Sequence, residues 1–202
     1  MGSFSPLAAQ QEDDWNDDEE EEVPSEGDWA GFIPSLYSRG DQAFNISLGV
    51  TIPTVFTNAD GDFKQSIQQN ILVGGTGSLS YDYFLGSHFF VGGELQGMFA
   101  STKGDHMLFI IPINVRIGYQ FVFRRFEFPL SLGLGIAPQK LQEFDYLGFF
   151  AKPKASIFFR FNPEWSFGIN TAWWWVPEIT EKRAEWIYGN FFEATIAVRY
   201  HF

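Results

Sequence analysis

Bulky apolar residues stand at every second position in several stretches of this chain, and this alternation limits the folds open to it. Between residues 111 and 123, Ile, Val, Tyr and Phe occupy the odd positions, opposite Asn114, Arg116, Gly118 and Gln120. Residues 130–136 and 165–176 repeat the pattern. Because the side chains of a strand point alternately to its two faces, each stretch predicts a strand with one bulky face and one small or polar face.

Such segments recur from Asp41 to the end of the sequence, and turn signals separate them. We place eight strands at about residues 43–56, 69–84, 89–101, 107–123, 127–137, 149–161, 165–176 and 189–202. An even number of antiparallel strands can close into a barrel whose two termini lie on one side. Four prolines fall within these strands, and we expect bulges or strand ends there because proline removes a ladder donor: Pro53, Pro112, Pro129 and Pro153.

The two faces decide which solvent such a barrel meets. An eight-stranded barrel has room inside for little more than side chains, so the bulky rows must face outward and the Gly, Ser and polar rows inward. Outward apolar rows would be an aggregation liability in water, whereas a lipid bilayer accommodates them. The predicted fold class is therefore all-β: an eight-stranded antiparallel up-and-down transmembrane β-barrel.

Composition and link lengths agree with a membrane barrel. The chain has 24 Phe, 7 Trp and 7 Tyr, and many of them flank the short links, where they would form an interfacial girdle. No uncharged apolar run approaches the ~18 residues of a membrane-spanning helix. Short links near residues 85–88, 124–126 and 162–164 alternate with longer ones, although the link at 102–106 is barely longer. Short turns are periplasmic in outer-membrane barrels, which predicts periplasmic termini and external long loops.

Acidic charge is concentrated before the first strand. Residues 1–40 hold eleven acidic residues and one basic residue, a balance of −10, and residues 41–202 hold fourteen and twelve, a balance of −2. We therefore divide the chain into a tail, residues 1–40, and a barrel, residues 41–202. The tail would combine a secretion-signal remnant or expression start with a disordered acidic segment. Contact with divalent cations or a basic partner is the alternative to a simply solvated tail.

The chain resembles the small bacterial outer-membrane β-barrel proteins, the class of OmpA, OmpX and OmpW. The resemblance covers residues 41–202 and rests on the alternating strands, the links and the terminal AVRYHF. It implies an assembly signal in the last strand, read by the barrel-assembly machinery: Ile196, Val198, Tyr200 and Phe202. The other partner is outer-membrane lipid. We expect a monomer that binds no nucleic acid, and no subfamily pattern identifies a ligand site.

Charged residues on the inward rows are the candidate functional site. Parity places eight of them in the lumen: Asp82, Glu94, Arg116, Lys152, Lys154, Arg160, Glu193 and Arg199. Buried charges must be paired or hydrated, so an ion-pair network that plugs the barrel is the favoured interpretation. If the 102–106 link is centred on Asp105, Glu94 lies opposite Arg116 and pairs with it, with Ser80 as a further donor to the carboxylate.

Two other functions stay open. The lumen could be a narrow, cation-repelling pore, or small apolar molecules could enter through a funnel lined by Phe144, Tyr146, Phe150 and Trp186, as the resemblance to OmpW implies. Enzymatic activity is not expected. The absence of cysteine excludes thiolate metal sites and cysteine nucleophiles, and His106 with Asp105 and Ser101 is a weak triad candidate on a loop. No catalytic residue, cofactor or metal is assigned. The predicted protein has a structural or surface-interaction role through its external loops.

Overall fold

The computed structural model describes residues 34–58, 63–65, 71–102, 107–141, 144–178 and 187–202. No helix in this part of the chain is long and apolar enough to cross a membrane. Its strands are β1 (Gln42–Asn58), β2 (Phe63–Gln65), β3 (Ile71–Phe84), β4 (Phe89–Thr102), β5 (Met107–Ile110), β6 (Ile113–Phe123), β7 (Phe126–Leu141), β8 (Phe144–Arg160), β9 (Trp165–Glu178) and β10 (Ile187–His201).

These strands close into an eight-stranded antiparallel barrel. β5 and β6 share one position, since both pair with β4 and β7, and β2 is a short addition that pairs with the end of β1. β10 pairs antiparallel with β1 from Ala43↔His201 to Asn58↔Ile187 and completes the cylinder. The predicted fold class is confirmed. The links at 85–88, 124–125 and 161–164 lie with the strand ends of both termini, at what we call the turn end; the opposite end is the loop end.

Prolines mark most of the irregularities of the wall. The β1–β10 register shifts after Pro53, and Pro112 lies in the break between β5 and β6. Pro129 pairs across to Gln120 of β6, while the β7–β8 ladder has no partners at residues 128–129. Pro153 also lies at a gap in pairing, because the β8–β9 ladder has no partners at residues 152–153. The wall therefore accommodates each missing N–H by a bulge, a break or a local gap in pairing.

The link predicted at residues 138–148 is mostly strand. β7 continues to Leu141 and β8 begins at Phe144, so only residues 142–143 connect them. Pro138, the first residue after the predicted strand, pairs with Leu147 across the hairpin. The alternation of short and long links is therefore weaker than the sequence suggested.

The outer wall is an apolar surface with aromatic residues at two levels. The predicted outward rows are confirmed, with Ile117 at 60%, Leu132 at 43% and Ile169 at 59% exposure. Exposed aromatic residues lie ten positions apart on three strands: Phe89 and Phe99, Phe149 and Phe159, Trp165 and Trp175. Ten residues span ~33 Å along a strand, or ~25 Å along the axis of a barrel whose strands tilt by ~40°. That height matches the apolar band of a transmembrane barrel, ~25 Å.

The lumen contains large apolar side chains as well as polar ones, which corrects the expectation of small and polar inward rows. An apolar cluster near the loop end consists of Met98, Ala100, Ile110, Ala137, Phe150, Ala172, Trp174, Val176 and Phe191. A second cluster at the turn end consists of Tyr37, Ala43, Phe84 and Phe90, with Val122 packed against it. The inward rows thus form three layers, with a polar and charged layer between two apolar ones.

Candidate functional site

The middle layer of the lumen brings together charged residues from six strands. Of the eight that parity places inside, seven are at most 8% exposed, and Arg160 is partly buried near the turn end. Glu127 joins them at 0% exposure. Glu127 was not among the predicted lumen residues because it stands at the very start of the strand predicted at 127–137, although it shares the parity of Ser131 and Gly133. Four acidic and five basic side chains therefore meet in or beside the lumen.

Arg116 is bound chiefly by Asp82. Its Nε donates to Asp82 Oδ1 at 2.7 Å and its Nη2 contacts Oδ2, whereas Nη1 reaches Glu94 Oε2 at 3.3 Å. Arg116 lies between Gly92 on β4 and Gly133 on β7 in the ladders. A Cβ on Gly92 would lie 2.4 Å from Asp82 Oδ1. Glycine at this position therefore leaves room for the carboxylate that holds the guanidinium.

Glu94 is the centre of the charged layer because three cations contact it. Lys152 Nζ lies 2.7 Å from Oε1, and Lys154 Nζ lies 2.9 Å from Oε2, the oxygen that Arg116 also contacts. Lys152 also donates to Gln96 Oε1 at 2.6 Å. These side chains come from β4, β6 and β8, so they connect opposite walls of the barrel. Each buried charge has an oppositely charged partner, as burial in a low dielectric requires.

Glu193 anchors the charged layer to the loop-end cluster. Its Oε2 accepts from Gln96 Nε2 at 2.6 Å and from Trp174 Nε1 at 2.7 Å, and lies 3.1 Å from Lys152 Nζ. Trp174 in turn packs edge-on against Phe150, with ring centroids 5.1 Å apart. The indole N–H of Trp174 therefore links the charged layer to the loop-end cluster.

The register behind the expected Glu94–Arg116 pair was wrong. The β4–β6 ladder sets Glu94 opposite Asn114 and Arg116 opposite Gly92, two residues away from the predicted alignment. A shift of two residues leaves both side chains on the inward face, and the long arginine still reaches the carboxylate. Ser80 does lie opposite Glu94 on β3, but its hydroxyl has no hydrogen-bond partner among the described residues.

Arg199 organises the part of the charged layer nearest the turn end. Its Nε donates to Asn45 Oδ1 at 2.7 Å, and its Nη1 donates to Gln120 Oε1 and Glu127 Oε2, both at 3.1 Å. The guanidinium carbon lies 4.0 Å from the ring centroid of Phe158, close enough for a cation–π contact. Arg199 is therefore held by both polar and aromatic partners.

Tyr37 closes the turn end from outside the strands. Its ring stacks on Phe84 with centroids 3.7 Å apart, and its hydroxyl lies 3.0 Å from both Glu127 oxygens and from His201 Nδ1. Burial raises the pKa of the Tyr37 phenol, and the Glu127 carboxylate raises it further, so the phenol keeps its proton. Residues 34–40, which the sequence analysis assigned to the tail, thus include a side chain that is part of the barrel's packing. No sequence pattern marked Tyr37.

A small cavity lies in the middle of the lumen among the described residues. It has about 10 Å³ of free space, enough for roughly one water molecule. Arg116, Lys154 and Arg199 line it, together with Asn and Ser side chains. Asn170 is also in the lining, and its Oδ1 has no hydrogen-bond partner among the described residues. This cavity is therefore of the size of a single small molecule.

The described residues give little support for a catalytic or metal-binding site. His106 and Asp105 lie outside the described residues, so the loop triad has no described geometry. Ser166 Oγ lies 2.7 Å from His201 Nε2, but the serine is fully buried, which denies a substrate access to its hydroxyl. Within the part of the chain that the structure describes, no three His, Asp or Glu side chains are placed to hold a metal ion.

The remaining sequence candidates are the residues of the predicted funnel and those of the expected assembly signal. Phe150 packs inside the loop-end cluster, while Trp186 and the side chains of Phe144 and Tyr146 lie outside the described part of the chain. Three residues of the expected assembly signal share the outer face of β10, with Ile196 at 71% exposure, and Phe202 follows the end of the strand at 56% exposure. The Tyr200 ring packs against Trp165 and Phe202 at centroid distances of 4.8 and 5.6 Å.

Comparison with known proteins places the chain in a family. A protein-family model matches residues 17–200, which include all but the last two residues of the barrel, and the chain belongs to that family. It is 30% identical over 132 residues to an uncharacterized protein of Treponema pallidum (strain Nichols), covering 65% of this chain and 60% of that relative's length. It is 25% identical over 161 residues to an uncharacterized protein of Borreliella burgdorferi, covering 68% of this chain and 74% of the relative.

Solved structures share the fold at low sequence identity. The chain is similar to the outer membrane protein OprG from Pseudomonas aeruginosa, with a TM-score of 0.53 and 10% identity over 82% of this chain and 97% of that one. The Neisserial surface protein NspA gives 0.52 and 11% over 81% and 97%, and Ail, the attachment invasion locus protein of Yersinia pestis, gives 0.50 and 10% over 81% and 99%. The chain therefore has the fold of small outer-membrane barrels.

Proposed function

We propose that this chain is an integral outer-membrane protein whose lumen is plugged by ion pairs and whose external loops perform a structural or surface-interaction role. The filled lumen is the observation that carries the proposal. Four acidic and four basic side chains, each at most 8% exposed, join the walls between two packed apolar clusters. A lumen filled in this way leaves no wide path for solutes, so interaction with the surroundings falls to the loops.

The outer wall and the short turns support an orientation in the membrane. Aromatic belts ~25 Å apart fit the apolar band of an outer-membrane barrel. The short turns lie at the same end as the two termini, and in such barrels that end is periplasmic. We infer periplasmic termini, external loops and a non-enzymatic monomer surrounded by lipid. The outward row that ends at Phe202 would serve as the signal for the barrel-assembly machinery.

Planar-bilayer recording tests the plug. The folded protein should insert without conductance steps in concentrated KCl, while a porin reconstituted in parallel gives them. Steps from the wild-type protein that change in Glu94→Gln would overturn the proposal.

A separate test concerns assembly: removal of Phe202 should lower the amount of barrel assembled in cells and leave folding into detergent intact. Equal loss in both assays would assign Phe202 to stability instead.

A narrow channel is the second candidate function, and the central cavity favours it. Arg116, Lys154 and Arg199 all line that cavity, and no carboxylate does. A path through this point would repel cations. Small conductance steps whose reversal potential in a KCl gradient lies toward that of chloride, and which Lys154→Gln shifts, would establish it.

A further inference from the structure

The turn-end seal depends on a side chain supplied from outside the barrel strands. Tyr37 is 4% exposed and is presented by a tight turn, in which Ser38 N donates to Asp41 Oδ2 at 2.8 Å. Gly40 has a φ of 105°, a conformation that favours glycine, and its N donates to Phe84 O at 3.0 Å. The turn is thus docked on the end of β3, and the tyrosine ring enters the mouth beside it.

The hydrogen bonds of Tyr37 have a definite direction. Glu127 Oε2 accepts from Arg199 at 3.1 Å and Oε1 accepts from Arg160 at 3.4 Å, so both carboxyl oxygens act as acceptors and the phenol donates to them. The phenol has one proton, and therefore His201 Nδ1 must be the donor to its oxygen. His201 Nε2 is then an acceptor for the Ser166 hydroxyl at 2.7 Å. These hydrogen bonds form a connected series from Ser166 through His201 and Tyr37 to Glu127.

The two ends of the lumen differ in what must be broken to open them. Every member of the loop-end cluster lies on a barrel strand, so moving one disturbs the ladder. Tyr37 precedes β1. Among the described residues, its removal from the mouth breaks the stacking on Phe84, the ring contact with His201, the phenol's hydrogen bonds and the cation–π contact with Arg160, whose guanidinium carbon is 5.4 Å from the ring centroid, and it breaks no ladder pair. Ala43 is fully buried and belongs to the same cluster.

We propose that Tyr37 is a displaceable stopper: its withdrawal opens the turn-end half of the lumen to water while the barrel stays folded, and the Ser166–His201–Tyr37–Glu127 hydrogen bonds keep the open fraction small. The stopper does not depend on whether the middle layer conducts. Failure of the plug in bilayers and failure of the stopper are therefore separate results.

Cysteine labelling tests the stopper cleanly, because the chain contains no native cysteine. Ala43→Cys places a thiol at a fully buried position of the cluster that contains Tyr37, and a membrane-impermeant maleimide reports its accessibility in the refolded protein. When closing is faster than labelling, the rate follows the open fraction. Labelling should be slow with Tyr37 present, at least about tenfold faster with Tyr37→Phe, which loses bonds to charged and polar partners, and faster still with Tyr37→Ala.

Ala100→Cys, at 2% exposure in the loop-end cluster, is the matched control. Its labelling should be slow and the same in all three Tyr37 backgrounds, and heat-modifiable gel migration should show a folded barrel. Unchanged labelling of Ala43→Cys in folded Tyr37→Ala overturns the stopper, as does a parallel rise at Ala100→Cys, which would indicate general loosening. If Tyr37→Ala does not fold, Tyr37→Phe decides, since it retains the stacked ring.

Discussion

Trp173 and Trp174 are adjacent in the sequence, yet they lie on opposite sides of the barrel wall. Trp173 is 40% exposed on the outer face, and its indole N–H reaches Asn190 Oδ1 at 2.9 Å. Trp174 is fully buried, donates to Glu193 and packs on Phe150. The outer face thus requires only an apolar character that suits lipid, whereas each inner position must match particular partners. The two faces should respond differently to the same kind of substitution.

The largest effect is expected in the middle layer of the lumen. Glu94→Gln removes the carboxylate shared by Arg116, Lys152 and Lys154, and an uncompensated buried charge costs about 3–5 kcal/mol. Unfolding by denaturant in detergent measures the loss. Leu95→Met, one residue away on the outer face, should change stability little.

In double-mutant cycles the Asp82–Arg116 coupling energy should exceed the Glu94–Arg116 coupling energy, because Arg116 makes its shorter contacts with Asp82. The reverse order would contradict the observed register.

The tryptophan pair gives the most direct comparison of the two faces. Trp174→Ala should destabilise by about 3 kcal/mol or more, since it empties the loop-end cluster and removes a donor to Glu193. Trp173→Ala should cost clearly less, because lipid or detergent fills the space. Both variants can be measured by the same unfolding assay. Similar costs at the two positions would mean that lipid does not replace the contacts of Trp173.

A charged substitution on the outer wall should destabilise the barrel in a membrane, whereas a small polar substitution on the inner wall should have little effect. Leu132→Arg places a cation on the lipid face, where it costs about 2–4 kcal/mol near the bilayer midplane. It should reduce folding into liposomes. Ser131→Thr, on the inward face, should be mild. Equal tolerance of both changes would be incompatible with the assigned faces.

The smallest effect is expected from the acidic segment. Removing residues 1–28 should shift stability by no more than about 0.5 kcal/mol, because the segment has too little apolar content to contribute packing. Removing residues 1–37 also takes Tyr37 and should be measurably worse. Heat-modifiable migration and denaturant unfolding compare the two. A loss of folding after the shorter deletion would show that Trp15 or another residue before Trp29 contributes to the barrel.

The sequence predicts the two faces well because they depend only on parity. Leu132 and Ile169 on the outside and Glu94 and Arg116 on the inside follow from the two-residue period of a strand. Register depends on the conformation of the links. The residue pairs of β4 with β5 and β6 are centred on Gly104, not Asp105, a difference that parity cannot detect.

Contacts that depend on three-dimensional packing were not predictable. Phe150, Phe158 and Trp174 have inward parity, but nothing in their own segments shows that space exists for them in a narrow lumen. The space comes from small residues on other strands, including Ala137 and Ala172 of the loop-end cluster. Tyr37 has no alternating context at all, and its place follows from the turn that ends at Asp41.

The ten-residue spacing of the outer aromatic belts also sets the bilayer in which this protein fits without distortion. An apolar height of ~25 Å is shorter than the ~30 Å hydrocarbon core of an average membrane, and the bacterial outer membrane is thinner than average. A thicker bilayer would have to thin around the barrel or leave polar residues beyond the belts in hydrocarbon. The spacing of the belts therefore fits the hydrocarbon thickness of the bacterial outer membrane better than that of a thicker bilayer.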